Sequence, residues 1–130
     1  MMFRSLPLWL LVGLGGFVGS VARYLASGTV QRLFPLLRLP GGTLLVNMTG
    51  CAVIGALGAL VEYRGLFSPQ ARVLLMIGVL GGFTTFSSFG FETLELAREG
   101  HLGLGLVNVA LQVGGGLVAV WLGHSIIRLL

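Results

Sequence analysis

Pro69-Gln70-Ala71-Arg72-Val73-Leu74-Leu75-Met76-Ile77-Gly78-Val79-Leu80-Gly81-Gly82-Phe83-Thr84-Thr85-Phe86-Ser87-Ser88-Phe89-Gly90-Phe91 is the stretch on which the reading of this chain turns. A helix needs about 20 mainly apolar residues to cross the hydrocarbon core of a bilayer. This run has that length, with Arg72 its one charge near the start. Yet it places a glycine pair and four hydroxyls, Thr84, Thr85, Ser87 and Ser88, at bilayer depth. Paired glycines followed by Thr-Thr disfavour a regular helix, and hydroxyls can satisfy the backbone groups that a break sets free. The pattern predicts a broken helix near Gly81 to Thr85, with carbonyls released from the ladder. Non-helical backbone at that depth is tolerated only inside protein or beside water.

Three further windows qualify as spans: about Pro7 to Ala26, Thr43 to Val61, and Leu102 to Ile127. Pro40-Gly41-Gly42 punctuates the entry to the second. Ser68 before Pro69 reads as an N-cap with proline at the first helical position. Gly100 and His101 separate the third span from the fourth. The opening Met1-Met2-Phe3-Arg4 and its apolar sequel resemble a secretory leader, but the run continues past Gly19 and shows no clear cleavage site. It reads as a first transmembrane helix that the mature chain retains. Residues 1–130 then form a single all-α membrane domain of four transmembrane helices.

Composition agrees. Of 130 residues, 55% are hydrophobic and 9% charged, with a mean hydropathy of +0.99, where soluble domains carry about 25% charged residues. All eight basic residues are Arg, scattered without a basic patch, so a pI near 10.7 does not point to nucleic acid. Cys51 is the one cysteine, in the middle of an apolar segment, and reads as a small buried side chain. The 22 glycines fall partly at four-residue spacing: Gly15 with Gly19, Gly16 with Ser20, and Ala119 between Gly115 and Gly123. Ala22 and Ala26, and Ala52 and Ala56, repeat it. Small residues so spaced let helix backbones approach closely in lipid.

Arginine also bears on orientation. With four spans, Arg4, Arg64, Arg72 and Arg128 fall on one side, and Arg23, Arg32, Arg38 and Arg98 on the other. The balance gives no topological preference, so the chain can insert both ways up. Two inverted copies can then pair as an antiparallel homodimer of dual topology, an arrangement that places a central site at the midplane. In such a dimer the two breaks would meet, and their carbonyls could jointly bind a cation.

Polar groups inside spans cost free energy and mark function by default. Arg23 lies near the end of the first span, and Asn47 lies four residues inside the second. Phe86 and Phe89, three apart, share a face of the third. Ser88 and Glu92 share another stripe, and Asn108 and Gln112 do the same on the fourth. Hydroxyl, amide and carboxyl groups lined up on facing helices suit a hydrated path. No nucleophile or metal-ligand constellation accompanies His101 or His124, which sit near span ends, so no catalytic residue is assigned. A proton-coupled exporter would need an acid early in a span, and the first two spans carry none before Glu62 at the boundary. A purely structural subunit would leave the glycine pair and hydroxyls without purpose.

These residues closely resemble the small bacterial fluoride channels of the Fluc (CrcB) family. The matching stretches are Gly15-Gly16-Phe17-Val18-Gly19 through Arg23-Tyr24, and Gly42-Thr43-Leu44-Leu45-Val46-Asn47-Met48-Thr49-Gly50. The third and most specific runs from Gly78 to Phe89. The resemblance implies passive fluoride export across the bacterial inner membrane through an antiparallel homodimer with two parallel pores. It implies that Phe86 and Phe89 line the pores and that the Asn47 side chain donates to the ion. Ser87, Ser88 and Glu92 would lie on the polar track beside that path, with Arg23 near the aqueous vestibule. The backbone carbonyls of Gly81 and Thr84 would hold a central sodium ion shared by both subunits. Similar channels often carry Tyr and Ser on the fourth-helix track, where this chain has Asn108 and Gln112.

Overall fold

The computed structural model describes residues 6–130. Arg4, one member of the charge tally, lies outside the described residues with the rest of the opening segment. Among the described residues, four helices are long and apolar enough to cross a membrane: Leu8–Leu33, Gly41–Arg64, Pro69–Arg98 and Leu102–Leu129. The first two are α1 and α2. The third span consists of α3 (residues 69–83) and α4 (Phe86–Arg98), with Thr84 and Thr85 between them. The fourth is α5 (Leu102–Leu129).

Local signals set most of the boundaries. Ser68 Oγ accepts from the Ala71 N–H at 3.2 Å, with Pro69 at the first helical position, as the sequence predicts. Gly65 closes α2 in the left-handed region at φ 58°, a conformation open to glycine at little cost. All four spans end later than expected, two of them, at Leu33 and Arg98, by a wide margin. α1 continues past Ala26 to Leu33 because Ser27-Gly28-Thr29 does not break it; the Thr29 hydroxyl donates back to the Leu25 carbonyl at 2.8 Å. α4 likewise continues past Phe91 to Arg98, carrying its acidic turns out of the apolar window.

Small residues join the helices. A Cβ on Gly15 would meet the Leu74 carbonyl at 2.5 Å and Gly78 Cα at 2.9 Å, and one on Gly19 would run into the Val79 carbonyl. α1 is therefore seated on α3 backbone to backbone. The same device joins α2 to the distal half of α5. There a Cβ on Gly123 would collide with the Ala52 carbonyl, and one on Gly55 with that of Val120. α2 touches every other span, so its side chains reach the centre of the bundle.

Both long spans depart from regular winding. α3 is wound as a π-helix over Val73–Val79, and α5 over Leu111–Gly115, which contains Gln112. Such widened turns frequently accompany functional positions. Gly81 and Gly82 remain helical; the extended backbone is confined to Thr84 (φ −87°, ψ 158°) and Thr85 (φ −150°, ψ 115°). Gly82 is held in the helix by contact with α1, since a Cβ there would lie 2.5 Å from the Gly16 carbonyl. Thr84 ends α3 by bonding the Leu80 carbonyl twice, through its N–H at 3.0 Å and its hydroxyl at 2.9 Å.

Candidate functional site

The extended pair at Thr84 and Thr85 removes backbone groups from the helical ladder, and α2 supplies their partner. Asn47 Oδ1 accepts from the Thr85 N–H at 2.8 Å, and Asn47 Nδ2 donates to the Thr85 carbonyl at 3.0 Å. A single side-chain amide thus pairs with the N–H and carbonyl of one residue, as a neighbouring strand would. The second Nδ2 hydrogen goes to Gln112 Oε1 at 3.0 Å. A buried amide left unmade costs about 1–3 kcal/mol, so this pairing stabilises the interruption at depth.

Hydroxyls extend the network. Thr85 Oγ1 caps α4 by accepting from the Ser88 N–H at 3.2 Å, and it lies 3.0 Å from Ser88 Oγ and 3.3 Å from Ser87 Oγ. One turn further, Glu92 Oε1 accepts from the Thr43 hydroxyl at 2.7 Å. On the α4–α5 side, Asn108 Nδ2 donates to Thr93 Oγ1 at 2.9 Å, and that hydroxyl donates onward to the Phe89 carbonyl at 2.7 Å. Thr43, Thr85, Asn108 and Gln112 are all buried. The centre of the chain is a hydrogen-bonded polar seam bounded by apolar surface.

Phe86 and Phe89 flank the seam with ring centroids 5.2 Å apart and planes at 74°, an edge-to-face pair. Phe89 is 7% exposed and Phe86 is 79% exposed on the isolated chain. Two cavities open along the seam. The larger, of about 880 Å³, has walls that include Arg23, Thr43, Thr85, Ser88 and Glu92. The smaller, of about 350 Å³, is lined by Asn47, Thr85, Phe86, Phe89 and Gln112 among others. Thr85 forms part of both walls, so the interruption stands at their junction.

Every residue assigned to the ion path can be placed among the described residues. Asn47, Ser87, Ser88, Phe86, Phe89 and Gln112 cluster about Thr85, while Asn108 lies one turn from Gln112 and bonds Thr93. Glu92 and Arg23 line the larger cavity. Arg23 Nη1 also donates to the Thr84 carbonyl at 3.4 Å. The resemblance has the Asn47 side chain donating to the ion; in this structure both hydrogens of its amide lie on protein acceptors, the Thr85 carbonyl and Gln112 Oε1. Three members of the network were not singled out: Thr43, the capping role of Thr85, and Thr93. Thr43 stands four residues before Asn47, and Thr85, Ser88 and Glu92 recur at helical spacing, so one polar face per helix was the available signal.

The proposed sodium ligands can be tested on the backbone. The Gly81 carbonyl loses its usual helical donor, because the Thr85 N–H turns to Asn47, and the extended Thr84 carbonyl points out of the ladder. Carbonyl oxygens suit a small hard cation, but the Thr84 oxygen already accepts from Arg23 Nη1 at 3.4 Å, so that guanidinium has to turn away for a cation to share it. Among the described residues, no three His, Cys, Asp or Glu side chains group as metal ligands.

Residues 10–124 match the family described as CrcB-like protein, Camphor Resistance (CrcB). The chain is 47% identical over 120 residues to the fluoride-specific ion channel FluC of Methylobacillus flagellatus, covering 92% of this chain and 94% of that one. It is 43% identical over 117 residues to fluoride-specific ion channel FluC 3 of Methanosarcina barkeri, covering 90% and 87%. To the fluoride-specific ion channel FluC of Opitutus terrae it is 46% identical over 121 residues, covering 92% and 91%. The match spans all three glycine and hydroxyl stretches from which the seam is built, and the relatives are named as channels. The chain belongs to the CrcB-like family, a family of channels and not of enzymes.

Proposed function

We propose that this protein is a fluoride-selective channel that lets the ion leave the cell passively, with Phe86 and Phe89 lining the path and Asn47 as its donor residue. The observation that carries the reading is the small cavity, where two phenylalanine rings and two side-chain amides line one space. Fluoride is small and strongly hydrated, so a selective path must replace its water without trapping it. Ring edges carry the positive part of the aromatic quadrupole and attract an anion weakly. Amides and hydroxyls supply the stronger contacts, and conduction needs binding that is favourable yet escapable. Arg23 raises the anion concentration in the vestibule, and Thr43, Ser87, Ser88, Glu92, Asn108 and Gln112 form the polar track.

The working unit is an antiparallel homodimer of dual topology, in the bacterial inner membrane. Balanced arginines and the broad apolar surface of the single chain, which includes Phe86, support it. The Gly81 and Thr84 carbonyls would hold a sodium ion at the dimer centre, and its charge would offset the carbonyl dipoles meeting there. The test is fluoride efflux from liposomes containing the purified protein alone, with chloride as control. Fast fluoride release with negligible chloride release is the expected result. Equal release of both ions, or none from a folded dimer, overturns the reading.

A further inference from the structure

The larger cavity extends from Thr85 in the seam to the ends of α1 and α4, which alternating spans place on one side of the membrane. With 26 residues at about 1.5 Å each, α1 is about 39 Å long, against a hydrocarbon core of about 30 Å. Its last turn, the loop after it and the end of α4 lie beyond the apolar windows, at the level of the lipid headgroups. Four charged side chains line the cavity there: Arg32 and Arg38 from α1 and its loop, Glu95 and Glu99 from the end of α4. Deeper in, Arg23 and Glu92 are engaged with the Thr84 carbonyl and the Thr43 hydroxyl. Among the described residues no ion pair joins either outer arginine to either outer glutamate. Glu95 meets only Arg98 of its own helix, at 3.7 Å.

Each pair favours a group of opposite charge. The Glu99 N–H donates to the Glu95 carbonyl at 2.9 Å, so the two carboxylates stand one turn apart at the C-terminal end of α4. Like charges at that spacing repel, and a helix C-terminus favours cations. Arg32 and Arg38 offer the forked N–H donors that suit phosphate oxygens. Between them in the chain, Phe34 and Leu36 are 60% and 93% exposed, apolar side chains that beside arginine suit a membrane interface. We propose that this cleft binds a phospholipid whose headgroup carries a primary amine. The phosphate lies on Arg32 and Arg38, the ammonium on Glu95 and Glu99, and the acyl chains run along the exposed side chains of the loop. An anionic headgroup leaves the two carboxylates facing it, and a quaternary ammonium has no hydrogen to give them. The proposal is independent of the fluoride reading, since none of the four charged residues belongs to the polar seam.

The purified dimer in detergent is titrated with short-chain phosphatidylethanolamine, phosphatidylglycerol or phosphatidylcholine, and bound lipid is counted by native mass spectrometry. Phosphatidylethanolamine should bind roughly threefold or more tightly than either of the others, the scale of exposed charge pairs. Glu95→Gln with Glu99→Gln should abolish its advantage over phosphatidylglycerol. Arg32→Gln with Arg38→Gln should weaken the binding of both. Wild-type protein that holds phosphatidylglycerol equally well overturns the proposal, and so does a preference that survives Glu95→Gln with Glu99→Gln. Absence of bound lipid also overturns it, and is the outcome if a second subunit covers the cleft. If a paired variant does not elute as a dimer, its two single substitutions carry the same comparison.

Discussion

Asn47 and Thr85, on different spans, exchange two hydrogen bonds of 2.8 and 3.0 Å that tie a side-chain amide to the extended backbone of one residue. This contact joins α2 to the junction of α3 and α4 and leaves neither the Thr85 N–H nor its carbonyl unpaired. It also explains how a membrane-length span accommodates two extended residues, since the side chain replaces what the helical ladder would have provided.

Asn47→Leu should therefore destabilise the protein as well as stop conduction. It strands the Thr85 N–H and carbonyl and the Gln112 oxygen in a dry centre, at about 1–3 kcal/mol for each group left unpaired. The thermal midpoint of the purified protein in detergent should fall clearly below wild type. Asn47→Asp keeps an acceptor for the Thr85 N–H, so its midpoint should lie between the two. Equal midpoints for all three proteins would show that the amide does not support the break.

The aromatic pair should behave differently. Phe86→Ile or Phe89→Ile should abolish fluoride efflux while leaving a folded dimer, since each keeps apolar bulk and loses the ring edge. Phe86 is exposed on the single chain, so its substitution should cost the subunit's own core little. Retained flux in both variants would sink the ring-edge mechanism.

Sodium should matter to assembly more than to the fold of one subunit. Replacing sodium by a bulky organic cation during purification should lower the stability of the dimer, read as a shift toward monomer on size exclusion. An unchanged profile would argue against a cation on the Gly81 and Thr84 carbonyls.

Glycine substitutions should divide by what a methyl group would meet. Gly19→Ala drives its Cβ into the Val79 carbonyl, and Gly123→Ala into that of Ala52, so both should lower yield and thermal midpoint. Gly13→Ala meets nothing within 4 Å and lies inside α1. It should be neutral or stabilising by about 0.5–1 kcal/mol, as expected for alanine over glycine within a helix. Uniform effects at the three positions would mean that α1 is not seated as described.

Much of this protein was legible along the chain. Span length and apolar composition need only local counting, and so do the Ser68-Pro69 cap and the polar residues set into the spans. These follow from the bilayer's thickness and from the energy of polar groups in it, which act on each segment separately. The ends of α1 and α4 were misplaced because the helices outrun the apolar windows, and hydropathy reports the window. The glycine pair at Gly81 and Gly82 was a real signal with a different meaning: Gly82 serves close packing on α1, while the extended backbone falls on the two threonines beyond. Partnership was decided by tertiary structure alone. Asn47 finds Thr85 and Gln112 at sequence separations of 38 and 65, and no local pattern specifies which face of α2 turns to which face of α5. Packing of glycine faces sets those rotations, and the rotations determine that both Asn47 hydrogens are taken.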